Sequence, residues 1–498
     1  MKKNKIVILG GGTAGWMTAL VLKQIFPKRD ITLIQSKNIG IIGVGEATTP
    51  HIVHFLKTLD IDPFDVIKNS NGSFKAGISF ENWNGDGKSY FHGFDDTLID
   101  SEVPGVFNGG ANDILKKLLI DENSRFEDFI YQTKLSYNNK VDLNRTAWAL
   151  HFDAHKFADY LENIGRERGV NVIEEEFVDA KFADDGNINE VILTNNISVP
   201  CDFIFDCSGF SRLIIDKIYK SEWISFAKHL PMKKAIPFWL DSEDNIKPYT
   251  KAIAMKYGWM WQIPLDHRIG SGYIFDSDYI TEDEALAEAE EFYQRKLTVN
   301  KVISFEPGRF KDVWIKNCCA IGLSANFIEP LESTSLWLTV TQLEMIRHFL
   351  DTIETTDAED IALYNEIVGK EVDEKLNFVY FHYLTKRQDS KFWQEFSTKT
   401  QPPAAFISLL NHVKKNNMRQ FMFRGSLETG RFPMSSYLQV GYGLGIFEKR
   451  PNITNYENIQ PDIDVHGSYV DAHVRDAPLH KDVLAMLKTI DFSKKGKR

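Results

Sequence analysis

Four cysteines in 498 residues, Cys201, Cys207, Cys318 and Cys319, form no C-x-x-C pair and no Cys/His ligand spacing. A disulfide framework and a metal site are therefore not expected, and a reduced, cytoplasmic setting is. Long apolar runs are lacking too. The start "MKKNKIVILGGG" has the charges of a signal peptide, but glycines stop its apolar run, Ile6–Leu9, too early for one. No apolar window of about 18 residues follows, so no membrane span is expected. Positive charge is in deficit, with 58 Lys and Arg against 69 Asp and Glu and a net charge of -11. That balance argues against nucleic acid or an anionic membrane as partner. The basic ending "SKKGKR" is too short to reverse it, and no internal repeat or low-complexity linker occurs.

What remains is a globular composition, 43% hydrophobic and 26% charged, long enough for two to three domains. The 35 Phe and 10 Trp suit a protein lined for aromatic ligands and equally suit a large core.

The chain opens with a strand at Ile6–Leu9, the turn "GGGTAGW", a helical run from Ala14 to Phe26 ended by Pro27, and a second strand "ITLIQS" from Ile31. This is a βαβ start. Gly10-Gly11-Gly12-Thr13-Ala14-Gly15 fills the G-x-G-x-x-G pattern in the required strand-to-helix context. Glycines there let backbone approach a pyrophosphate, and the helix N-terminus favours its charge. At the end of the second strand, where a ribose-binding acid is usual, stands Gln35, whose amide can still bond a hydroxyl. Two later strand-turn segments, "VPCDFIFDCSGFSR" and "NCCAIGLSANFIEPLESTS", favour FAD over NAD. No second fingerprint is present, so reducing equivalents arrive from outside.

An α/β fold follows, a Rossmann-type FAD domain like that of single-FAD monooxygenases with a discontinuous substrate domain. Residues 1–80, 150–225 and 300–345 are expected to form the FAD domain. Residues 80–150 and 225–300 read as strand-rich insertions, and 345–498 as mostly helical, its last 70 residues loop-rich around Gly441, Gly443 and Gly445.

The stretch "FKAGISFENW" reads as one strand with Phe74, Ala76, Ile78 and Phe80 on a buried face and Lys75, Gly77, Ser79 and Glu81 opposite. The ordinary expectation for Lys75 is an ammonium that snorkels to water. The other is an ammonium beside a channel left open by Gly77 and Ser79.

Five stretches, "GGGTAGW" (10–16), "GVGEATTP" (43–50), "FKAGISFENW" (74–83), "GWMWQIP" (258–264) and "FIEPLESTS" (327–335), resemble the flavin-dependent halogenases, a family known for chlorinating tryptophan. The likeness extends to about residue 400 through "HYLTKRQDSKFW". It implies that FAD, reduced by a separate flavin reductase, works with oxygen and halide to make hypohalous acid. Lys75 then receives the oxidant beside Glu332, and an electron-rich ring is halogenated. The likeness also places Gly10, Gly12, Thr13, Ala14, Gly15, Gln35, Gly45, Glu46, Ala47, Thr48 and Gly322 at the cofactor, and Thr334 and Ser335 at the halide. His92, Phe94 and Ser333 fall at the substrate, with Trp259 and Trp261 as a wall keeping substrate from the flavin. Each has an ordinary counterpart: a first-turn acid for Glu332, N-capping for Thr334 and Ser335, a core stripe for the tryptophans.

Departures bear on substrate. "SSYLQVGYGLGIF" stands where the family grips tryptophan but carries no tryptophan of its own, and "ESTS" replaces "ESTG". An indole, phenol or heteroarene is expected rather than free tryptophan, with chloride, bromide or iodide as halide and a homodimer or higher homo-oligomer left open. A flavin hydroxylase and a non-catalytic flavin-binding protein are the alternatives.

Overall fold

A computed structural model describes residues 4–36, 38–39, 46–94, 128–299, 301–350, 356–404, 406–407, 432–446 and 460–492. The chain divides into two compact units, each assembled from three separate segments.

The first unit takes Met1–Gly72, Phe152–Ala227 and Glu306–Asp373. Its centre is a six-stranded sheet in which Lys5–Leu9 lies between Asp30–Gln35 and Phe203–Asp206. Asn171–Glu174 and Cys318–Ala320 extend the parallel ladder, and Trp314–Ile315 closes one edge antiparallel. The three central strands are short runs rich in Ile, Val, Leu and Phe because both faces are covered. One covering helix is Thr13–Ile25, which buries Trp16 completely. The indole seats against helix Ala154–Glu167 at Gly165, where even a methyl group would overlap the ring. Asp153 starts that second helix by accepting from the backbone N–H groups of His155 and Lys156.

The second unit takes Ser73–His151, Lys228–Phe305 and Glu374–Arg498. A seven-stranded sheet runs through it, with Gly258–Pro264 between Thr250–Met255 and Arg268–Phe275 and buried along its whole length.

The unit boundaries differ most from those expected from sequence at two edges, with residues 300–305 also falling in the second unit. Residues 73–80 fold with the second unit, and helical residues beyond 345, up to Asp373, stay with the first. The last 70 residues are not loop-rich where described: Met434–Gly443, Gln460–Asp476 and His480–Thr489 are helices. Gly441 and Gly443 suggested a loop, yet both lie in a helix, and Gly443 is glycine because Tyr90 packs where a side chain would stand. No helix among the described residues is long and apolar enough to cross a membrane.

Candidate active site

In the first unit the strand Lys5–Leu9 hands over to the helix Thr13–Ile25 through Gly10, whose φ of 122° only glycine adopts comfortably. A side chain at Gly10 would overlap the Cys207 carbonyl, and one at Gly15 would overlap the Gly10 carbonyl. Gly12 is the helix N-cap, has no side chain to cap with, and faces open space. The first-turn amides of Thr13 and Ala14 are thus presented without a protein carboxylate, since no acid stands in that turn. Gly322, at φ 69°, brings the third segment to this turn, with room for a Cβ only 3.0 Å from that of Ala14. A cradle of this shape fits a dinucleotide pyrophosphate.

Gln35 ends the second strand and lies against Gly11. Its Nε2 donates to both carboxylate oxygens of Glu162, at 3.2 and 3.3 Å. Glu162 in turn accepts from Arg166 at 2.8 Å. Glu162 had no signal in the sequence, because 127 residues separate it from Gln35.

Of "GVGEATTP", Glu46, Ala47 and Thr48 are described, whereas Gly45 lies outside the described residues. Glu46 and Ala47 form a short extended segment, and Thr48 is buried. Burial pushes the Glu46 carboxyl up to about 7, although the residue keeps some solvent exposure. His51, just beyond, stacks on Trp337 at 4.4 Å, tying this segment to helix Thr334–Phe349.

That helix carries the predicted halide residues. Its N-cap is Ser333, in a left-handed conformation and without a side-chain capping bond. The capping role considered for Thr334 and Ser335 is therefore not what the fold uses. Thr334 is fully buried, and its hydroxyl meets no hydrogen-bonding partner among the described residues. Ser335 is half-buried. Glu332 is 1% exposed and ends the short turn Pro330–Glu332 ahead of the helix, so it is not a first-turn acid.

In the second unit, Lys75 overturns its ordinary expectation: it is 0% exposed. "FKAGISF" is also not one strand. Ser73–Lys75 pairs with Ala149–Phe152, and Gly77–Glu81 belongs to the seven-stranded sheet. The joint is Ala76, whose N–H donates to Pro248 and whose carbonyl accepts from Phe94. Lys75 and Gly77 therefore do not share a strand face. Gly77 opens no channel either, for the Phe91 ring and the His92 carbonyl crowd it. What the ammonium does face is Phe94, with Nζ 5.1 Å from the ring centroid.

His92 is buried, and its ring lies 5.4 Å from Phe378. Helix Met434–Gly443, which holds the "SSYLQVGYG" stretch, docks on the strand Ser89–Gly93 that carries His92, and the Gly93 N–H donates to Gln439 at 2.9 Å. Trp259 and Trp261 are buried neighbours with ring centroids 6.4 Å apart. The Trp261 ring covers Gly272.

Sequence reasoning missed a buried polar row beside Lys75. His151 contacts Ser73 at 3.1 Å through Nδ1 and Thr250 at 2.8 Å through Nε2. Ser73 donates to the carbonyl of Pro264 at 2.6 Å. His480 accepts the Phe74 N–H and bonds the Ile246 carbonyl. Burial first, then the Lys75 and His480 charges, hold His151 well below the usual imidazole range. Burial likewise holds His480 at about 4. The available signal for His151 was a histidine inside the apolar strand "ALHF".

A parallel sheet with a glycine cradle at its first turn defines a dinucleotide-binding fold. Its relatives narrow the class. The family model described as Tryptophan halogenase matches residues 5–456. Tryptophan 7-halogenase RebH of Lentzea aerocolonigenes is 33% identical over 431 residues, 79% of this chain and 78% of that protein. Among solved structures, BrvH, a flavin-dependent halogenase from Brevundimonas sp. BAL3, matches with a TM-score of 0.86 at 27% identity, covering 98% of this chain and 99% of its own. Xcc4156, a flavin-dependent halogenase from Xanthomonas campestris, matches with a TM-score of 0.86 at 28% identity, covering 97% and 98%. The chain belongs to the tryptophan halogenase family of flavin-dependent halogenases. It is an FADH2-dependent halogenase of aromatic substrates, with FAD as cofactor, halide as co-substrate and a separate flavin reductase as the family's source of reduced flavin.

Proposed function

We propose that this enzyme halogenates an electron-rich indole, phenol or heteroarene other than free tryptophan, with Lys75 receiving the halogenating species and Glu332 accepting the ring proton. One observation carries the reading: an ammonium fully withdrawn from water and facing an aromatic ring. Burying such a group costs several kcal/mol, and a strand lysine without a task would reach the surface instead.

When bound and reduced, FAD supplies the two electrons with which dioxygen yields water and, from halide, hypohalous acid. Gly10, Gly12 and Gly15 let the chain approach the cofactor's pyrophosphate, and the amides of Thr13 and Ala14 bind it. Glu46, Ala47, Thr48 and Gly322 complete the cofactor's surroundings. The buried hydroxyl of Thr334 and the first-turn amide of Ser335 suit a halide. Trp259 and Trp261 exclude organic substrate from the flavin, so that oxygen is transferred only to halide. Lys75 either donates a hydrogen bond to hypohalous acid or, as the free amine, forms an N–halogen bond with loss of water. Once the ring takes the halogen, Glu332 removes the proton and aromaticity returns. His92, Phe94 and Ser333 are assigned to substrate. The helix Met434–Gly443 presents Gln439 to backbone and no tryptophan side chain, which favours a substrate other than free tryptophan. Four buried free thiols suit a reducing compartment.

Incubation with a flavin reductase, NADH, FAD, halide and an aromatic panel tests this by mass spectrometry. Halogen mass shifts are expected. Oxygen mass shifts would make the enzyme a hydroxylase, and K75A retaining full product would remove Lys75 from the chemistry.

A further inference from the structure

We propose that His151 is a positioning residue for Lys75: through its two ring nitrogens it ties the strand that ends in Lys75 to the strand Thr250–Met255, and it orients the Ser73 hydroxyl towards the end of the strand that carries Trp259 and Trp261. The inference rests on the role of Lys75 given above. Neither His151 nor its partners stood among the residues singled out from the sequence.

The protons can be assigned one by one. The Pro264 carbonyl only accepts, so the single hydroxyl proton of Ser73 goes there, at 2.6 Å. The Ser73 oxygen must then accept from His151, at 3.1 Å, which puts the ring proton on Nδ1. Nε2 is left with its lone pair and accepts from the Thr250 hydroxyl at 2.8 Å. One tautomer satisfies all three bonds. His480 is fixed in the same manner. Its Nδ1 donates to the Ile246 carbonyl at 2.8 Å, and its Nε2 accepts from the Phe74 N–H at 3.2 Å. A second proton on His151 would turn the Thr250 hydroxyl away and place a cation beside Lys75 in a dry interior.

The geometry then specifies what is positioned. In the antiparallel pair, Ser73 stands opposite His151 and Lys75 opposite Ala149. Ser73, Lys75 and His151 accordingly share one face, and the small Ala149 leaves the lysine its space. The row Thr250–His151–Ser73–Pro264 joins four backbone segments, the last of them the end of "GWMWQIP". Lys75 is two residues beyond one of those anchors, just before the joint at Ala76. A strand of three residues has few ladder bonds of its own, so its direction depends on such side-chain anchors.

The test compares H151L, H151Q and T250V with K75A in the full-length enzyme supplied with a flavin reductase. Halogenated product per O2 consumed is measured, together with FAD affinity by flavin fluorescence and Tm. H151L and T250V are expected to lower that ratio by about tenfold and about threefold, with hydrogen peroxide in place of product and FAD affinity within about twofold of wild type. H151Q, whose amide can donate to Ser73 and accept from Thr250, is expected to recover most of the ratio. Unchanged coupling in T250V and H151L would overturn the inference. So would equal losses in H151Q and H151L that track folded protein, because they would mean general packing. If K75A keeps its product, the role of Lys75 itself fails; if K75A alone loses product, only the inference about His151 fails.

Discussion

The Gln35 amide donates to both carboxylate oxygens of Glu162, 3.2 and 3.3 Å away, while its own carbonyl oxygen faces Gly11. A carboxylate can only accept, so this contact fixes which end of the amide points to the glycine cradle. With FAD bound as proposed, the oriented carbonyl would offer a ribose hydroxyl the acceptor that an acid would otherwise supply. E162A should weaken FAD binding by about three- to tenfold, on the scale of one hydrogen bond. R166A, which removes only the outer partner of Glu162, should leave FAD affinity unchanged. Fluorescence titration of the apoprotein reads both, and equal effects of the two variants would mean that helix Ala154–Glu167 is merely disturbed.

Thr334 lends itself to a near-isosteric probe. T334V removes a buried hydroxyl that has no partner among the described residues, so the folded protein should lose little stability. The KM for chloride and bromide should rise by about tenfold, with FAD affinity retained, if that hydroxyl meets halide. Product formation against halide concentration decides it.

Glu332 is buried at the end of a three-residue turn, which makes E332Q a test with little change of shape. Loss of a general base should lower kcat by about a hundredfold while peroxide release continues. A rate near wild type would assign proton removal elsewhere.

Acid sensitivity should trace to the imidazoles. His480 is held at about 4 in the fold against 6.5 as its ordinary value, so between these pH values the unfolded chain binds the extra proton. The His480 contribution is therefore full above about pH 6.5 and falls by roughly 3 kcal/mol as pH drops towards 4. His151 adds a loss of the same sign. Glu46, raised to about 7, works the other way, since the fold binds its proton between 4.5 and 7. Thermal melts across that range should show a shallower acid limb in H480N than in wild type, and a parallel limb would remove His480 as its source.

The nucleotide-binding part was readable because its signals are local. A strand, a glycine turn and a helix follow one another within residues 5–25, and the structure repeats them nearly residue for residue. Lys75 was legible as an anomaly but not as a buried one, since "FKAGISF" alternates as a single strand would. The break at Ala76 depends on Pro248 and Phe94, and no local pattern announces partners so far away. Glu162 and His151 were hidden for the same reason: each gains its meaning from a contact across tens of residues or more. The C-terminal helices were misread because Gly443, taken alone, argues against a helix until Tyr90 is seen filling its place.

Because Ala76 is held at both its N–H and its carbonyl, the backbone there cannot slip by a residue to accommodate change. On the proposed site assignment, any engineered shift in where the ring is attacked must leave that joint alone and come from the segments assigned to substrate: the aromatic side of Phe94, the strand of His92, or the helix Met434–Gly443 laid over it. Libraries built on those surfaces should retarget the enzyme, while even a conservative insertion beside the lysine should silence it.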